Sequence, residues 1–218
     1  MQLSVTGSWR LSAGGSQACE LALFVRDTAR LPTPASEVPA LLGDVPDLAD
    51  MLPAATRQEA ADHWPQWWQQ LLDFEVQDRL ARREDTRAQG LISQRQAVFD
   101  PPQFQALVDR PALRTAAQAA FDRFCEWESG RRPPHPSGRP EALLGWSVMK
   151  RVAEDVAFDR QVRLDAVQAR VVVLPVHGLW WRTQAPGVVL CSPGAASDAA
   201  TSQALLRQAF DSHVAGMQ

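Results

Sequence analysis

The chain of 218 residues contains no asparagine, no tyrosine, a single lysine (Lys150) and a single isoleucine (Ile92). These residue types are spelled largely by AT-rich codons, whereas the 8 tryptophans, 16 prolines and 21 arginines (22 basic residues less Lys150) lean the other way. A GC-rich, bacterial genome accounts for the skew. Arginine in place of lysine is then no sign of selection for phosphate grip, and the missing asparagine is no sign of selection for heat resistance.

Cysteine is scarce as well. Cys19, Cys125 and Cys191 are odd in number, far apart and without a C-x-x-C pair, so neither a disulfide framework nor a zinc ribbon is indicated. No run of about eighteen apolar residues occurs, and the N-terminus lacks a basic start followed by an apolar stretch. A soluble cytoplasmic protein with reduced thiols and no membrane partner is expected. Excess positive charge is also missing: the formal charge is −3, with −3 in residues 1–50, −2 in 51–100, +2 in 101–150 and 0 in 151–218. No stretch is basic enough for a nucleic-acid footprint, and Arg131, Arg132 and Arg139, set among prolines, read as a solvated linker. Gly14-Gly15 is followed by Ser-Gln-Ala-Cys and no G-x-G-x-x-G occurs, so no nucleotide cofactor is implied.

What is present suffices for a real core, since 45% of the residues are hydrophobic. Residues 3–11 and 18–26 read as two strands of a hairpin turning at Ala13-Gly14-Gly15-Ser16. Five prolines then make 31–53 an extended loop. Thr56-x-x-Glu59 has the form of a capping box, and Trp64, Trp67, Trp68, Leu71, Leu72, Val76 and Leu80 follow at helical spacing, with Pro65 inside the run. Asp100-Pro101-Pro102 resembles a helix start. Pro111 begins another helix, with Leu113, Ala117, Ala120, Phe121 and Phe124 inward and an end by Gly130. The segment 131–140 (RRPPHPSGRP) is a candidate boundary. Beyond it come a helix over 141–158 (Leu144, Val148, Val152, Val156), strand in 162–176, a hairpin partner over 179–191 and a terminal helix near 197–214 with Leu205, Leu206, Ala209 and Phe210 inward.

The pattern predicts an α+β fold over residues 1–218: a small antiparallel sheet built from N-terminal and C-terminal hairpins, with central and C-terminal helices packed on it. The alternative is a division into 1–130 and 141–218.

Four constellations bear on function. Cys191 ends a strand at Leu190-Cys191-Ser192-Pro193-Gly194, before a helix whose amides would face an anion. A hairpin centred on Ala185-Pro186 would pair Trp180 with Cys191 and bring His177 near Gly194, a Cys–His arrangement. A cysteine after Val188-Val189-Leu190 is more often a small core residue, and the segment does not match the G-x-S-x-G elbow. His63 follows Glu59 by one helical turn, but no second pair completes a shell, so no metal is implied. Glu84-Asp85, Glu154-Asp155 and Glu126/Glu128 fall on solvent faces. The tryptophans are the remaining signal, with Trp64, Trp67 and Trp68 crowded at one helix start and Trp180 and Trp181 adjacent on a strand, where side chains alternate between faces. Exposed tryptophans are characteristic of interaction surfaces; the other reading is that helices cover both sheet faces and the cluster at 64–68 fills the core. The expected function is therefore non-enzymatic binding of another protein, as an accessory subunit, adaptor or inhibitor, through Trp64, Trp67, Trp68, Trp180 and Trp181, with a homo-oligomer compatible. The alternatives are a small enzyme using Cys191 and His177, or a small-molecule binder with an aromatic pocket.

Overall fold

A computed structural model describes residues 8–33, 38–81, 98–131 and 144–217. In chain order its regular elements are β1 (Arg10–Gly14), α1 (Gln17–Thr28), α2 (Ala54–Ala81), α3 (Pro111–Arg131), α4 (Trp146–Asp159), β2 (Gln168–Val173), β3 (Trp181–Ala185), β4 (Val188–Cys191), α5 (Pro193–Ser197) and α6 (Ala199–Ala215). The class is α+β. The chain forms two compact units: Met1–Gly15 with Pro133–Gln218, and the continuous stretch Ser16–Arg132 inserted between those two pieces.

The discontinuous unit is built on a four-stranded sheet in the order β1-β2-β4-β3. The sheet is mixed, not antiparallel. β1 runs parallel to β2 (Leu11 opposite Ala169) and β2 parallel to β4 (Val171 opposite Val189), while β3 alone is antiparallel, to β4. The hairpin is β3–β4, turning at Pro186-Gly187 within the expected 184–187, whereas β2 is not its partner in a hairpin but lies parallel to β4. Seven residues separate β2 from β3, 174–180, enough to carry the chain past the position that β4 fills.

Val171, Val172 and Val173 and all four residues of β4 are buried, as parallel strands covered on both faces require. Ala169, Val171, Val173, Val189 and Cys191 face a core completed by Val152 and Val156 of α4 and by Leu205, Leu206, Ala209 and Phe210 of α6. The inward faces of α4 and α6 thus match their apolar spacing. Helix α4 begins at Trp146, while residues 141–143 lie outside the described residues.

In the inserted unit, α1, α2 and α3 pack pairwise. Residues 18–26, expected to be the second strand of a hairpin, belong to helix α1, capped by the Ser16 hydroxyl, which accepts from the Cys19 amide. Nearly every residue of α1 is buried, so the helix has no polar face from which a helical period could be read. Helix α2 runs through Pro65. Helix α3 starts at Pro111 and buries Leu113, Ala117, Ala120 and Phe124 as its spacing predicts. Asp100-Pro101-Pro102 starts no α-helix. The Asp100 carboxylate instead accepts from the amides of Gln105 (2.9 Å) and Ala106 (3.4 Å), fixing a turn in which Phe104 is left-handed.

The end of β4 is pinned by Ser192. Its hydroxyl donates to the Gly178 carbonyl (2.6 Å) and accepts from the amides of Trp180 and Ala195, each at 3.1 Å. This draws the 174–180 loop so close to α5 that a Cβ on Gly194 would lie 2.8 Å from the Gly178 oxygen. Gly194→Ala is expected to cost about 1–3 kcal/mol. Gly14→Ala, with nothing within 4 Å of the added carbon, is expected to change stability by less than about 0.5 kcal/mol. Urea unfolding of the two variants beside the wild type checks the contrast.

Candidate functional site

The β4–α5 turn is the place where nucleophilic chemistry was conceivable. Cys191 stands opposite Val173 on one side and Trp181 on the other, its side chain in the core shared with α4 and α6. The expected register pairs Trp180 with Cys191. The observed one differs by a residue: the turn falls on Pro186-Gly187, one position later than expected, which would shift the pairing by two, and the irregular step between Thr183 and Ala185 takes one of these back. Cys191 has no solvent exposure, and burial pushes its thiol up to about 12, the reverse of what thiolate catalysis needs. His177 is exposed on the loop after β2. At the start of α5 it is Ser192, not Cys191, that meets the amides, and its role is to tie backbone together.

The metal reading finds no support. Glu59 is exposed and His63 half-buried on α2, and the described residues hold no group of three or more side chains able to bind a metal. Glu154 and Asp155 are exposed, as expected, while Glu84-Asp85 lies outside the described residues.

The first tryptophan cluster is core. Trp64, Trp67 and Trp68 are 3%, 0% and 6% exposed. Trp64 and Trp68 stack with ring centres 5.5 Å apart and planes 8° from parallel. The Trp64 indole donates to the Ala22 carbonyl of α1 (2.8 Å), and the Trp67 indole to that of Val98 (3.4 Å). Of the two readings of this cluster, the binding surface is therefore corrected and the core-filling one holds: the three rings form an aromatic joint between helices. Trp180 and Trp181 are both half-buried, with Trp181 against the core of the discontinuous unit.

Two further features went unnoticed in the sequence. Trp146, the first residue of α4, is 67% exposed and lies against half-buried Trp9 with ring centres 4.9 Å apart, and Trp9 in turn meets the edge of Phe210 at 6.3 Å. The signal for Trp146 was available: it sits about 200° around the helix from Val148, off the apolar stripe. The second is an open groove of about 540 Å³ beside the C-terminal end of α1, lined by Arg26, Asp27, Leu31, Val38, Pro39 and Val45. Its charges serve the fold. The Arg26 guanidinium donates to Asp27 and to the carbonyls of Val38 (2.9 Å) and Pro39 (2.8 Å), while Asp27 accepts from the Leu41 amide (2.8 Å).

No protein-family model matches the chain, and no curated protein or solved structure does. No helix among the described residues is long and apolar enough to cross a membrane.

Two outcomes follow from this geometry. An alkylating reagent at pH 8 is expected to label Cys125, which is half-buried, before fully buried Cys191, and peptide mapping by mass spectrometry reads the order. Trp67→Ala is expected to destabilise the inserted unit by roughly 3–5 kcal/mol, measured by urea unfolding, because a fully buried large ring leaves a cavity.

Proposed function

We propose that this protein acts by binding another protein, as a non-enzymatic accessory subunit, adaptor or inhibitor in the cytoplasm of a bacterium with a GC-rich genome. The observation that carries the reading is the pair formed by Trp146 and Trp9. A tryptophan two-thirds exposed, braced from behind by a second tryptophan, presents a large apolar ring with little side-chain freedom left to lose on binding. Such rings dominate the energetics of protein interfaces. Two half-buried tryptophans, Trp180 and Trp181, add apolar surface to the same unit. Trp64, Trp67 and Trp68 are buried in the core of the other unit and offer no such surface. The deep burial of Cys191 and its raised thiol weigh against the cysteine-enzyme alternative.

The test is quantitative capture from a lysate of the source organism with the full chain as bait, followed by titration of the captured protein. Trp146→Ala is expected to weaken binding by about 2 kcal/mol, roughly thirtyfold in Kd. Val108→Ala, at a comparably exposed apolar residue of the inserted unit, is expected to leave Kd unchanged. Equal binding by wild type and Trp146→Ala would remove this surface from the interface.

A further inference from the structure

The inserted unit is joined to the rest of the chain at two places, between Gly15 and Ser16 and between Arg132 and Pro133. Helix α1 begins just after the first junction and helix α3 ends just before the second. Their ends are bonded to each other twice: Glu20 accepts from Arg131 at 2.7 Å, and the Gln17 amide donates to Glu128 at 3.1 Å, each bond spanning 111 residues of sequence. Arg131 also lies over the Trp127 ring, 4.2 Å from its centre, which fixes the guanidinium in place. We propose that these side chains form a proton-controlled clasp holding the two ends of the inserted unit side by side.

The proton dependence follows from how unequally the partners are solvated. The Glu20 side chain is 12% exposed, Arg131 33%. An ionised carboxylate in that position loses most of its water and gains, among the described residues, a single cation in return. The charged groups acting on Glu20 are Arg131, which favours ionisation, and Glu128, which opposes it. Both come from α3, while α2, packed on the same helix α1, contributes none among the described residues. Burial outweighs the cation, and the Glu20 carboxyl is raised from the ordinary 4.5 to about 7.

The sign is set by linkage. A carboxyl raised in the closed clasp binds its proton more tightly there than when the helix ends open into water. Closure is therefore strongest below about pH 4.5, weakens as pH rises toward 7, and is constant above it. The clasp tightens on acidification and loosens toward neutral pH, and pH acts on it most steeply between about 4.5 and 7, where the closed form keeps a proton that the open form has lost.

Hydrogen exchange by mass spectrometry on the full chain tests this, following amides of the last turn of α3 from pH 5 to 8 after correction for intrinsic exchange. Wild-type protection is expected to fall by about tenfold or more between pH 5 and 7 and then level off. Glu20→Gln, nearly isosteric and uncharged, is expected to show no such fall. Glu128→Gln removes the opposing charge, so its decline should end at lower pH and leave it better protected than wild type at pH 8. A wild type flat across this range, or Glu20→Gln tracking the wild type, would overturn the proposal.

Discussion

The parallel pairing of β1 with β2 is the contact on which the chain's organisation depends. It joins residues as distant as Ser12 and Arg170, 158 positions apart, into one sheet, and so recruits the N-terminal segment to a unit otherwise built from the C-terminal part of the chain. Closing a flexible loop of that length costs entropy before any ladder bond forms, though the cost grows only slowly with length. A folded insert whose two ends already lie together makes the effective loop short. The bonds from α1 to the end of α3 provide that condition within the inserted unit. The unit's local geometry thus bears on whether β1 finds β2.

This long-range pairing also explains where the sequence was legible. Helices α2, α3 and α6 each keep a polar face, so their apolar spacing located both the helix and its inward residues: Leu71 and Leu72, Leu113 and Phe124, Leu206 and Phe210 are all buried as that spacing requires. Helix α1 keeps no such face. Its run of Ala18, Cys19, Leu21, Leu23 and Val25 is compatible with strand or helix until its three-dimensional surroundings are known. Strand positions in the C-terminal half were legible from valine density, and the β3–β4 hairpin from its turn residues to within one residue of register, but the parallel partners were not. β2 and β3, neighbours in sequence, are separated in the sheet by β4, and no local pattern specifies that order.

The candidate sites show the same division. Crowding of Trp64, Trp67 and Trp68 was visible, yet spacing on a helix says which residues share a face, not whether that face meets water or other helices. The indole bonds to Ala22 and Val98 decide it for Trp64 and Trp67. Trp146 differs because it departs from the stripe of its own helix, and a large ring off the buried face has solvent as its default neighbour. For Cys191, the sequence allowed a reactive thiol at a helix start. The turn at Pro186-Gly187 and one irregular step between Thr183 and Ala185 set the pairing, and the run of buried β4 residues set the thiol's surroundings.

Helix α1 carries two buried ions, and comparing them separates a fixed support from a responsive one. Arg26 is 6% exposed but compensated on several sides, by the Asp27 carboxylate, by two backbone carbonyls and by the Trp64 ring 5.7 Å away. These contacts act as a strut holding the 38–41 segment to α1. Glu20, 9% exposed, has one half-buried cation and a like charge nearby. Its compensation is incomplete, and a carboxyl, unlike a guanidinium, can relieve the imbalance by taking up a proton. Equal burial on one helix therefore gives opposite behaviour, and the difference lies in the number and sign of the neighbouring groups.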